Sequence, residues 1–351
     1  MIKTKTKTTE LEKRIIAFSE IGRLLNRYFS NINNKWTEEL RLKINEASNK
    51  NPWFTKENID LSLKYWSEEL TTKKLKSWLS SYKLSDDKPN TIAVIMAGNL
   101  PLVGFHDLLC VLISGQKLAI KFSNNDDVLM RFLIKYLIFK NVNFKDYIII
   151  NDSILKNFDK VIATGSNNTS RYFDFYFRNK PSILRKNRFS VAILSGKESK
   201  IELEELSNDI FTFFGLGCRN VSKIYFPINY NFDVFFKSMY KWKNIIYNHK
   251  YVSNYNYNRT INLMAKNAFL ENGFLILKES KENHSPISVL LYEYYKNIKD
   301  LRKKIKLIEK DLQCIVSSNF YKNEVKFGET QNPKLSDYAD NIDTIDFLLI
   351  K

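Results

Sequence analysis

Thr91-Ile-Ala-Val-Ile-Met-Ala-Gly-Asn-Leu-Pro101 is the stretch that decides the fold of this chain. Its first six residues are an almost continuous apolar run, which is typical of a parallel strand covered on both faces. Ala97 to Pro101 then predicts a loop, and the apolar residues from Leu108 to Ile113 predict a helix beyond it. The stretch therefore opens a strand–loop–helix unit.

The same pattern returns at once. Lys117 to Phe122 predicts a second strand, Ser123 to Asp126 supplies loop and N-cap residues, and Val128 to Phe139 has helical spacing. A third strand is predicted from Tyr147 to Ile150, and a fourth from Lys160 to Thr164. Strands and helices that alternate in this way predict an α/β protein with a doubly wound parallel sheet.

Polar residues follow three of these predicted strands. Asn99 follows the first, Lys121 lies at the end of the second, and Gly165 and Ser166 follow the fourth, where they open another helix. Ligands on parallel sheets bind beyond the carboxyl ends of the strands. We therefore expect these residues to point to one rim.

The length of the chain indicates more than one domain. Its 351 residues exceed the roughly 250 to 300 at which a single core usually stops growing. Residues 1–88 have helical spacing, with apolar positions such as Leu11, Ile15 and Leu40 between charged ones. No apolar run approaches the roughly 18 residues of a membrane span, and the first residues lack the apolar core of a secretory signal. We therefore expect a cytoplasmic protein without a transmembrane segment.

The chain is basic, with 55 basic and 38 acidic residues and a formal charge of +17. Such a charge suits nucleic acid, an anionic membrane surface or a polyanionic small ligand. The lysines are scattered, however, and no single helix is expected to collect them into a stripe. Because no helix-turn-helix, RNP or zinc-finger signature is present, we interpret the charge as solvated surface and expect no nucleic-acid partner.

The cysteine usage argues against disulfides and metals. Cys110, Cys218 and Cys314 lie far apart, are odd in number and form no Cys-x-x-Cys pair. This spacing disfavours both a disulfide framework and a structural zinc site. Reduced thiols and no bound metal are therefore expected.

Cys218 differs from the other two cysteines in its neighbours. It lies between Gly217 and Arg219, in a bend before the apolar run at Ile224, where a substrate carbonyl can approach the sulfur and nearby N–H groups. Two interpretations stay open from these residues alone. One is a nucleophile whose thiolate is favoured by Arg219 and Lys223, and the other is a small buried hydrophobe.

Four segments resemble, in order, the successive signatures of the aldehyde dehydrogenase superfamily. They are Met96-Ala-Gly-Asn-Leu-Pro101, Ala119-Ile-Lys-Phe-Ser123, Ala163-Thr-Gly-Ser166 and Gly215-Leu-Gly-Cys218. Within it, the short length and the tail from Phe327 to Tyr338 resemble the fatty acyl-CoA reductases related to the reductase of bacterial bioluminescence. The resemblance runs from about Thr91 to the end of the chain. It implies an aldehyde-dehydrogenase-like fold, with a Rossmann-like parallel-sheet cofactor domain and a smaller α/β catalytic domain.

The resemblance also implies roles for the matched residues. Cys218 would attack the thioester carbonyl of an acyl-CoA, and hydride from a nicotinamide cofactor would reduce the resulting acyl-enzyme to an aldehyde. Asn99 would donate to the oxyanion together with the N–H of Cys218, and one such donor is typically worth about 3 kcal/mol of barrier. Lys121 and Ser123 would belong to the cofactor site, where a lysine at the ribose 2′-phosphate suits NADPH, with NADH as the alternative.

Three further residues enter through the resemblance. Gly165 and Ser166 match a pair at a helix start that faces the cofactor phosphates. Glu282, in Glu282-Asn-His-Ser-Pro286, matches the spacing of the glutamate that binds the nicotinamide ribose hydroxyls. His284 lies in the same segment, where a protease-like pair with Cys218 competes with a purely structural role.

Two stretches of this chain depart from the family pattern. Most aldehyde dehydrogenases carry, before a Gly-Gly pair, a glutamate that activates water to hydrolyse the acyl-enzyme. The corresponding stretch here, Phe189 to Gly196, has no carboxylate, although Glu198 and Glu202 follow it closely. The glutamine that often precedes the nucleophile is replaced by Leu216-Gly217. The missing carboxylate favours a thioester reductase over an oxidative dehydrogenase.

The sequence thus predicts four regions. They are a helical region packed on the cofactor domain (1–88), a Rossmann-like NADP-binding domain (89–208), a catalytic domain with Cys218 (209–325) and a C-terminal segment (326–351). The predicted reaction is NADPH-dependent reduction of a long-chain fatty acyl-CoA to the fatty aldehyde. The alternatives are a cysteine-dependent acyltransferase or thioesterase without nicotinamide, and a non-catalytic basic binding protein. An acyl-CoA or acyl-protein substrate, an acyl-synthetase or acyl-carrier partner and a homodimer are expected by analogy.

Overall fold

The structure is a computed structural model that describes residues 9–84, 88–151, 155–165 and 167–350. Its contacts divide the chain into two compact units. Unit 1 comprises Met1–Lys186 and Lys334–Lys351, and unit 2 comprises Asn187–Pro333. None of the helices in the described ranges is long and apolar enough to cross a membrane.

Unit 1 begins with amphipathic helices whose first turns are capped by side chains. They are α1 (Glu10–Phe29), α2 (Lys35–Lys50), α3 (Lys56–Glu69) and α4 (Thr72–Leu79). Thr9, Asn34, Thr55 and Thr71 each accept a hydrogen bond from a backbone N–H of the helix that follows. Because such caps satisfy N–H groups that have no partner inside the helix, they fix where each helix begins.

The sheet of unit 1 has five described strands, and all of its pairs are parallel. They are β1 (Thr91–Ile95), β2 (Lys117–Lys121), β3 (Ile148–Ile150), β4 (Lys160–Thr164) and β5 (Ser182–Arg185), in the order β3-β2-β1-β4-β5. Between them run α5 (Phe105–Ile113), α6 (Val128–Lys140) and α7 (Asn167–Tyr176). The strand order reverses between β1 and β4, and that position is where ligands bind on sheets of this kind.

The helical layer shares one core with this sheet. The ring of Phe18 in α1 lies 5.8 Å from the ring of Phe144, which follows α6. The Arg14 Nε–H donates to the carbonyl of Ile113 at the end of α5 (3.1 Å). Burial of the apolar faces of these helices stabilises the unit by about 25 cal/mol for each Å² removed from water.

Unit 2 contains a second, mixed sheet. Its elements are β6 (Phe189–Ile193), α8 (Lys200–Phe211), β7 (Val221–Pro227), α9 (Phe232–Met239), α10 (His249–Met264), β8 (Leu270–Glu271), β9 (Ile276–Glu279), β10 (Val289–Tyr295), α11 (Ile298–Ile308) and β11 (Leu312–Val316). The strand order is β11-β6-β7-β10-β9-β8, and every described pair is parallel except the short β8–β9 pair. The predicted α/β class with parallel sheets is confirmed.

The division between the units differs from the expected domain boundaries. The expected change from cofactor to catalytic domain, at residue 208, falls inside α8. The structure divides the chain at Lys186, because β6 pairs with β7 and β11 and not with β5. Residues 326–333 likewise belong to unit 2, so the expected C-terminal segment is shared between the units.

The chain returns to unit 1 at Lys334 and ends in α12 (Thr344–Leu349). The ammonium of Lys160 donates to the carbonyls of Phe347 (2.8 Å) and Leu348 (3.3 Å) at the end of this helix. A cation suits that position, because the last carbonyls of a helix have no partners within it. This contact anchors the end of the chain beside β4.

Candidate functional site

In unit 1, the loops that follow β1 and β2 lie directly against each other. A Cβ atom added at Gly98 would lie 2.3 Å from Ser123 Oγ and 2.6 Å from Ser123 Cβ. The N–H of Met96 donates to the carbonyl of Lys121 (3.1 Å) and continues the pairing of the two strands. A side chain at position 98 would collide with Ser123 where it now lies, so glycine permits this close approach of the two loops.

A buried carboxyl group fastens the same two loops. Asp126 Oδ2 accepts a hydrogen bond from the N–H of Leu102 (2.8 Å), and the Asp126 N–H donates to the carbonyl of Ser123 (3.1 Å). Burial raises the pKa of Asp126 well above its ordinary value, against the opposing effect of the Leu102 donor. The sequence indicates only a loop or N-cap position for Asp126. Its role in joining the two loops was not predicted.

The predicted site residues of unit 1, the oxyanion donor Asn99 and the cofactor residues, lie at the carboxyl ends of three neighbouring strands. Asn99 is exposed in the loop after β1, and Lys121 and Ser123 are half-buried at the end of β2. Gly165 follows β4, and its N–H donates to the carbonyl of Arg185 (3.3 Å). Ser166 lies outside the described residues.

These positions suit an anionic ligand. Lys121 supplies a positive charge at the end of β2, and α7 begins just after Gly165. A helix start favours anions, because its first N–H groups have no partners within the helix. The rim expected from the sequence is thus formed by the loops after β1, β2 and β4.

In unit 2, Cys218 lies in a tight turn before β7. The turn is closed by the N–H of Asn220, which donates to the carbonyl of Gly217 (3.0 Å). The Ser190 hydroxyl donates to the carbonyl of Cys218 (2.8 Å) and accepts from the N–H of Cys314 (3.1 Å). The Cys218 residue is exposed, whereas the other two cysteines are buried. A firmly held backbone thus presents an accessible cysteine.

Asn220 is the central support of this turn. Its side-chain amide is buried and donates to the carbonyls of Thr212 (2.8 Å) and Asp209 (3.1 Å), while its Oδ1 accepts from the N–H of Gly217 (2.8 Å). The carbonyls at the end of α8 would otherwise lack partners. Asn220 was missed from the sequence, since an asparagine near glycine predicts no more than a turn.

The backbone before the turn takes an unusual course. Phe213, Phe214 and Gly215 all adopt left-handed conformations, with φ of 53°, 58° and 74°. A residue with a side chain pays about 1 kcal/mol or more for this conformation, so the surrounding contacts must hold it in place. Strained backbone of this kind is often found next to functional residues.

A buried carboxylate connects α8 to the tail of unit 2. Asp209 accepts hydrogen bonds from the N–H of Gly328 (2.7 Å), the N–H of Thr330 (3.0 Å) and the hydroxyl of Thr330 (2.8 Å). Burial raises the pKa of Asp209 to about 6, and the three donors oppose that rise. This residue, which was also missed from the sequence, holds the tail segment beside the helix that leads to Cys218.

Lys223 does not act as expected from the sequence. Its side chain is fully buried, pairs with Glu293 (2.6 Å) and donates to the carbonyl of Glu282 (2.7 Å). Burial lowers the pKa of Lys223, and Glu293 opposes that effect. Because Glu293 balances its charge, Lys223 is not a cation available to favour a Cys218 thiolate, and the expectation is corrected.

The predicted ribose ligand lies in the connection from β9 to β10. Glu282 is exposed, and its backbone is held by Lys223 and by the Ser280 hydroxyl, which accepts from the Glu282 N–H (3.1 Å). The ring of His284 packs on Phe189 at 5.1 Å. Phe189 and Ser190 are consecutive strand residues and so face opposite sides of the sheet. This arrangement gives no support to a pair between His284 and Cys218.

The two glutamates near the expected water-activating position are engaged in local structure. Glu198 accepts from the hydroxyl of Ser195 (2.7 Å) and from the N–H of Gly196 (3.0 Å). Glu202 forms a capping box with Ser199 at the start of α8. Both carboxylates therefore organise the turn after β6. Across the described residues, no group of three or more His, Cys, Asp or Glu side chains could hold a metal ion.

Comparisons by sequence find no relative, whereas comparisons by structure find many. No protein-family model matches the chain, and no curated protein matches it. Aldehyde dehydrogenase 21 from Physcomitrella patens, in complex with the reaction product succinate, has a TM-score of 0.65 at 11% identity and covers 97% of this chain and 84% of its own. An aldehyde dehydrogenase from Mycobacterium tuberculosis, complexed with NAD+, has a TM-score of 0.63 at 11% identity, with coverage of 90% and 74%.

A third solved structure, the substrate-bound AldH of Staphylococcus aureus, has a TM-score of 0.55 at 16% identity and covers 90% of this chain and 78% of its own. At such identities the likeness concerns the fold. It agrees with the order of the four sequence signatures from Met96 to Cys218. The chain therefore has a fold like that of these aldehyde dehydrogenases.

Proposed function

We propose that this chain reduces a long-chain fatty acyl-CoA to the fatty aldehyde with NADPH, through a thioester on Cys218. The observation that carries the proposal is the exposed Cys218, held by Ser190 and Asn220 in a turn at the start of β7. A nucleophile needs both access and a fixed position, and this turn supplies both. The fold, shared with aldehyde dehydrogenases, supports an aldehyde-related oxidoreductase.

The proposed chemistry begins at the sulfur of Cys218. Its thiolate attacks the acyl carbonyl, the bond to the coenzyme A sulfur breaks, and coenzyme A leaves as the thiol after taking up a proton. Negative charge develops on the carbonyl oxygen, and the N–H of Cys218, whose backbone is held by the turn, is proposed as a donor to it. Asn99 is proposed as the second donor, on the strength of its motif.

The loops of unit 1 fit a dinucleotide cofactor. They lie at the switch point between β1 and β4, with Lys121 as a cation for a 2′-phosphate and Gly165 before the start of α7. Ser123 and, in unit 2, Glu282 are proposed as further cofactor ligands. Bound NADPH would supply the hydride that reduces the thioester to the aldehyde and frees the Cys218 thiol.

Reduction is favoured over hydrolysis by the absence of a suitable base. In the described stretch from Phe189 to Gly196 there is no carboxylate, and Glu198 and Glu202 hold their own turns. A thioester that is slow to react with water persists until it is reduced. A protein-bound acyl donor, an acyl-synthetase or acyl-carrier partner and a homodimer remain part of the proposal by analogy.

The test follows NADPH absorbance with a long-chain acyl-CoA, beside a thiol assay for released coenzyme A. Wild-type protein should oxidise NADPH, and Cys218→Ala should lower the rate by about 1,000-fold or more. Cys110→Ala is the matched control, since its thiol is buried and has no role in the proposal. Cys314 is less suitable, because its Sγ accepts a hydrogen bond from Arg219, the neighbour of Cys218 (3.4 Å). Release of coenzyme A without NADPH oxidation would assign the chain to acyl transfer or hydrolysis. Neither signal across several chain lengths would assign it a non-catalytic role.

The choice of cofactor has its own test. Lys121→Met should raise the KM for NADPH by about tenfold or more while leaving that for NADH nearly unchanged, because only the 2′-phosphate requires the cation. An equal change for both cofactors would remove Lys121 from that role.

A further inference from the structure

The helix α11 of unit 2 and the 3₁₀ turn after it (Glu309–Asp311) carry a row of cations on their outer side. Four lysines recur at intervals of four, three and four residues, a spacing that places them on one side of a helix. With the neighbouring arginine they form the basic stripe, which consists of Lys299, Arg302, Lys303, Lys306 and Lys310. From the sequence, no helix is expected to collect lysines in this way, and α11 shows that expectation to be wrong.

The orientation of the helix is set by its apolar side. Leu301 and Ile305 are buried against Phe189, Val191 and Tyr225 of the sheet. All five residues of the basic stripe are exposed, as the opposite face of the same helix requires. The stripe is therefore fixed on the surface of unit 2.

Few contacts within the chain use these charges. Lys303 approaches Asp300 at 3.9 Å, where both side chains are largely exposed, and Arg302 donates to the carbonyl of Phe320 (3.1 Å). Among the described residues, no carboxylate forms an ion pair with Lys299, Lys306 or Lys310. The acidic residues of this segment, Asp300, Glu309 and Asp311, lie at its two ends, so the middle turns present positive charge alone.

A large aliphatic side chain accompanies the cations. Leu307 is 85% exposed and lies between Lys306 and the turn that carries Lys310. A leucine this exposed loses the stabilisation of burial unless something covers it. Lysine ammonium groups beside an exposed aliphatic side chain suit an anionic membrane surface, because the cations are attracted to anionic headgroups and the aliphatic group can enter the headgroup boundary.

We propose that the basic stripe, with Leu307, attaches this protein reversibly to an anionic phospholipid surface. The charge of the stripe is complementary to the lipid headgroups, and Leu307 is placed to enter the headgroup boundary. A single-stranded nucleic acid fits less well, because such ligands are held by aromatic platforms and the stripe has none. The proposal uses only residues of α11 and its following turn, and it stands whether or not the proposed reaction is correct.

The test is sedimentation of the full chain with vesicles, without substrate or cofactor. Vesicles of equal parts phosphatidylglycerol and phosphatidylcholine should bind the wild type, whereas phosphatidylcholine alone should not, and added salt should weaken the binding. Lys299→Gln with Lys303→Gln and Lys306→Gln should lower the affinity on the order of 100-fold, since each juxtamembrane lysine contributes about fivefold or more. Leu307→Ser should lower it by about five- to tenfold.

The matched control removes the same charge elsewhere. Lys35→Gln with Lys73→Gln and Lys145→Gln changes three exposed lysines outside α11 and should leave the affinity within about threefold of the wild type. An equal loss in this control would overturn the proposal, since diffuse charge would then explain the binding. The proposal would also be overturned if the wild type did not bind the vesicles. It would equally be overturned if the wild type bound heparin or nucleic acid instead of vesicles and the α11 variant lost that binding.

Discussion

The candidate residues of unit 1 lie where strands of its sheet end, whereas the candidate nucleophile of unit 2 lies before a strand begins. In unit 1, Asn99 and Lys121 lie at the carboxyl ends of β1 and β2, where ligands of such sheets are expected. In unit 2, Cys218 precedes β7, at the amino end of that strand, and is held by Ser190 at the start of β6. The carboxyl-end rule therefore locates the loops proposed to bind the cofactor and would not have located the proposed nucleophile.

The two sites are also built in different ways. The loops of unit 1 approach each other because Gly98 has no side chain. The turn of unit 2 is held by a buried side chain, that of Asn220, with three carbonyl or amide partners. Adding a methyl group should therefore damage the first site, and removing an amide should damage the second.

The largest effect is expected from Asn220→Ala. The change leaves the Gly217 N–H and several buried carbonyls without partners, so the free energy of unfolding should fall by about 3 kcal/mol. Urea unfolding measures this loss, and Asn256→Ala, at an exposed position of α10, should stay within about 0.5 kcal/mol. A loss no greater than that of the control would show that the turn does not depend on this side chain.

The second effect is a dependence of stability on pH. The pKa of Asp209 is about 6 in the folded chain, above its ordinary value of 3.8, so the native state holds this proton more tightly than the unfolded state does. Below about pH 4, protonated Asp209 contributes roughly 2 to 3 kcal/mol to the free energy of unfolding. This contribution is lost as the pH rises through about 6. Asp209→Asn cannot titrate, so its stability deficit against wild type should shrink across this range in urea unfolding. A constant deficit would contradict the prediction.

The third effect tests the loops of unit 1. Gly98→Ala places a methyl group against Ser123, and the loops must move apart at a cost of about 2 kcal/mol. The double variant Gly98→Ala with Ser123→Gly should recover most of that loss, which a double-mutant cycle measures. Equal stability of the single and double variants would place the strain elsewhere.

The smallest effect is expected from Ser190→Ala. The change removes the donor to the Cys218 carbonyl and the acceptor for the Cys314 N–H. The free energy of unfolding should therefore fall by about 1 to 2 kcal/mol. The rate at which iodoacetamide alkylates Cys218 should change as the turn loosens. Ser222→Ala is the control, because its hydroxyl makes only a long contact to Ser190 (3.5 Å), and it should leave both quantities unchanged.

Much of unit 1 was predictable because its signals are local. The strand Lys160–Thr164 has the predicted bounds, and Thr91–Ile95 and Lys117–Lys121 each end one residue earlier than expected. Apolar runs bounded by turn residues fix such strands over a few residues of sequence. The order of the four motifs then led to the fold.

The missed features depend on contacts between residues distant in the chain. Nothing local in Phe189–Ile193 shows that it pairs with β7 instead of β5, so the division between the compact units at Lys186 was not predicted. Phe213 and Phe214 adopt left-handed backbone that aromatic residues disfavour, and only the folded surroundings explain it. Asp209 and Asn220 became visible once their partners at Thr330 and Gly217 were known.

The central claim is that Cys218 carries the acyl group. Intact-protein mass spectrometry after incubation with a long-chain acyl-CoA, in the absence of NADPH, tests it most directly. We expect a single acyl adduct that peptide mapping assigns to Cys218 and that disappears when NADPH is added. No adduct, an adduct on Cys110 or Cys314, or one that persists in the presence of NADPH would contradict the account.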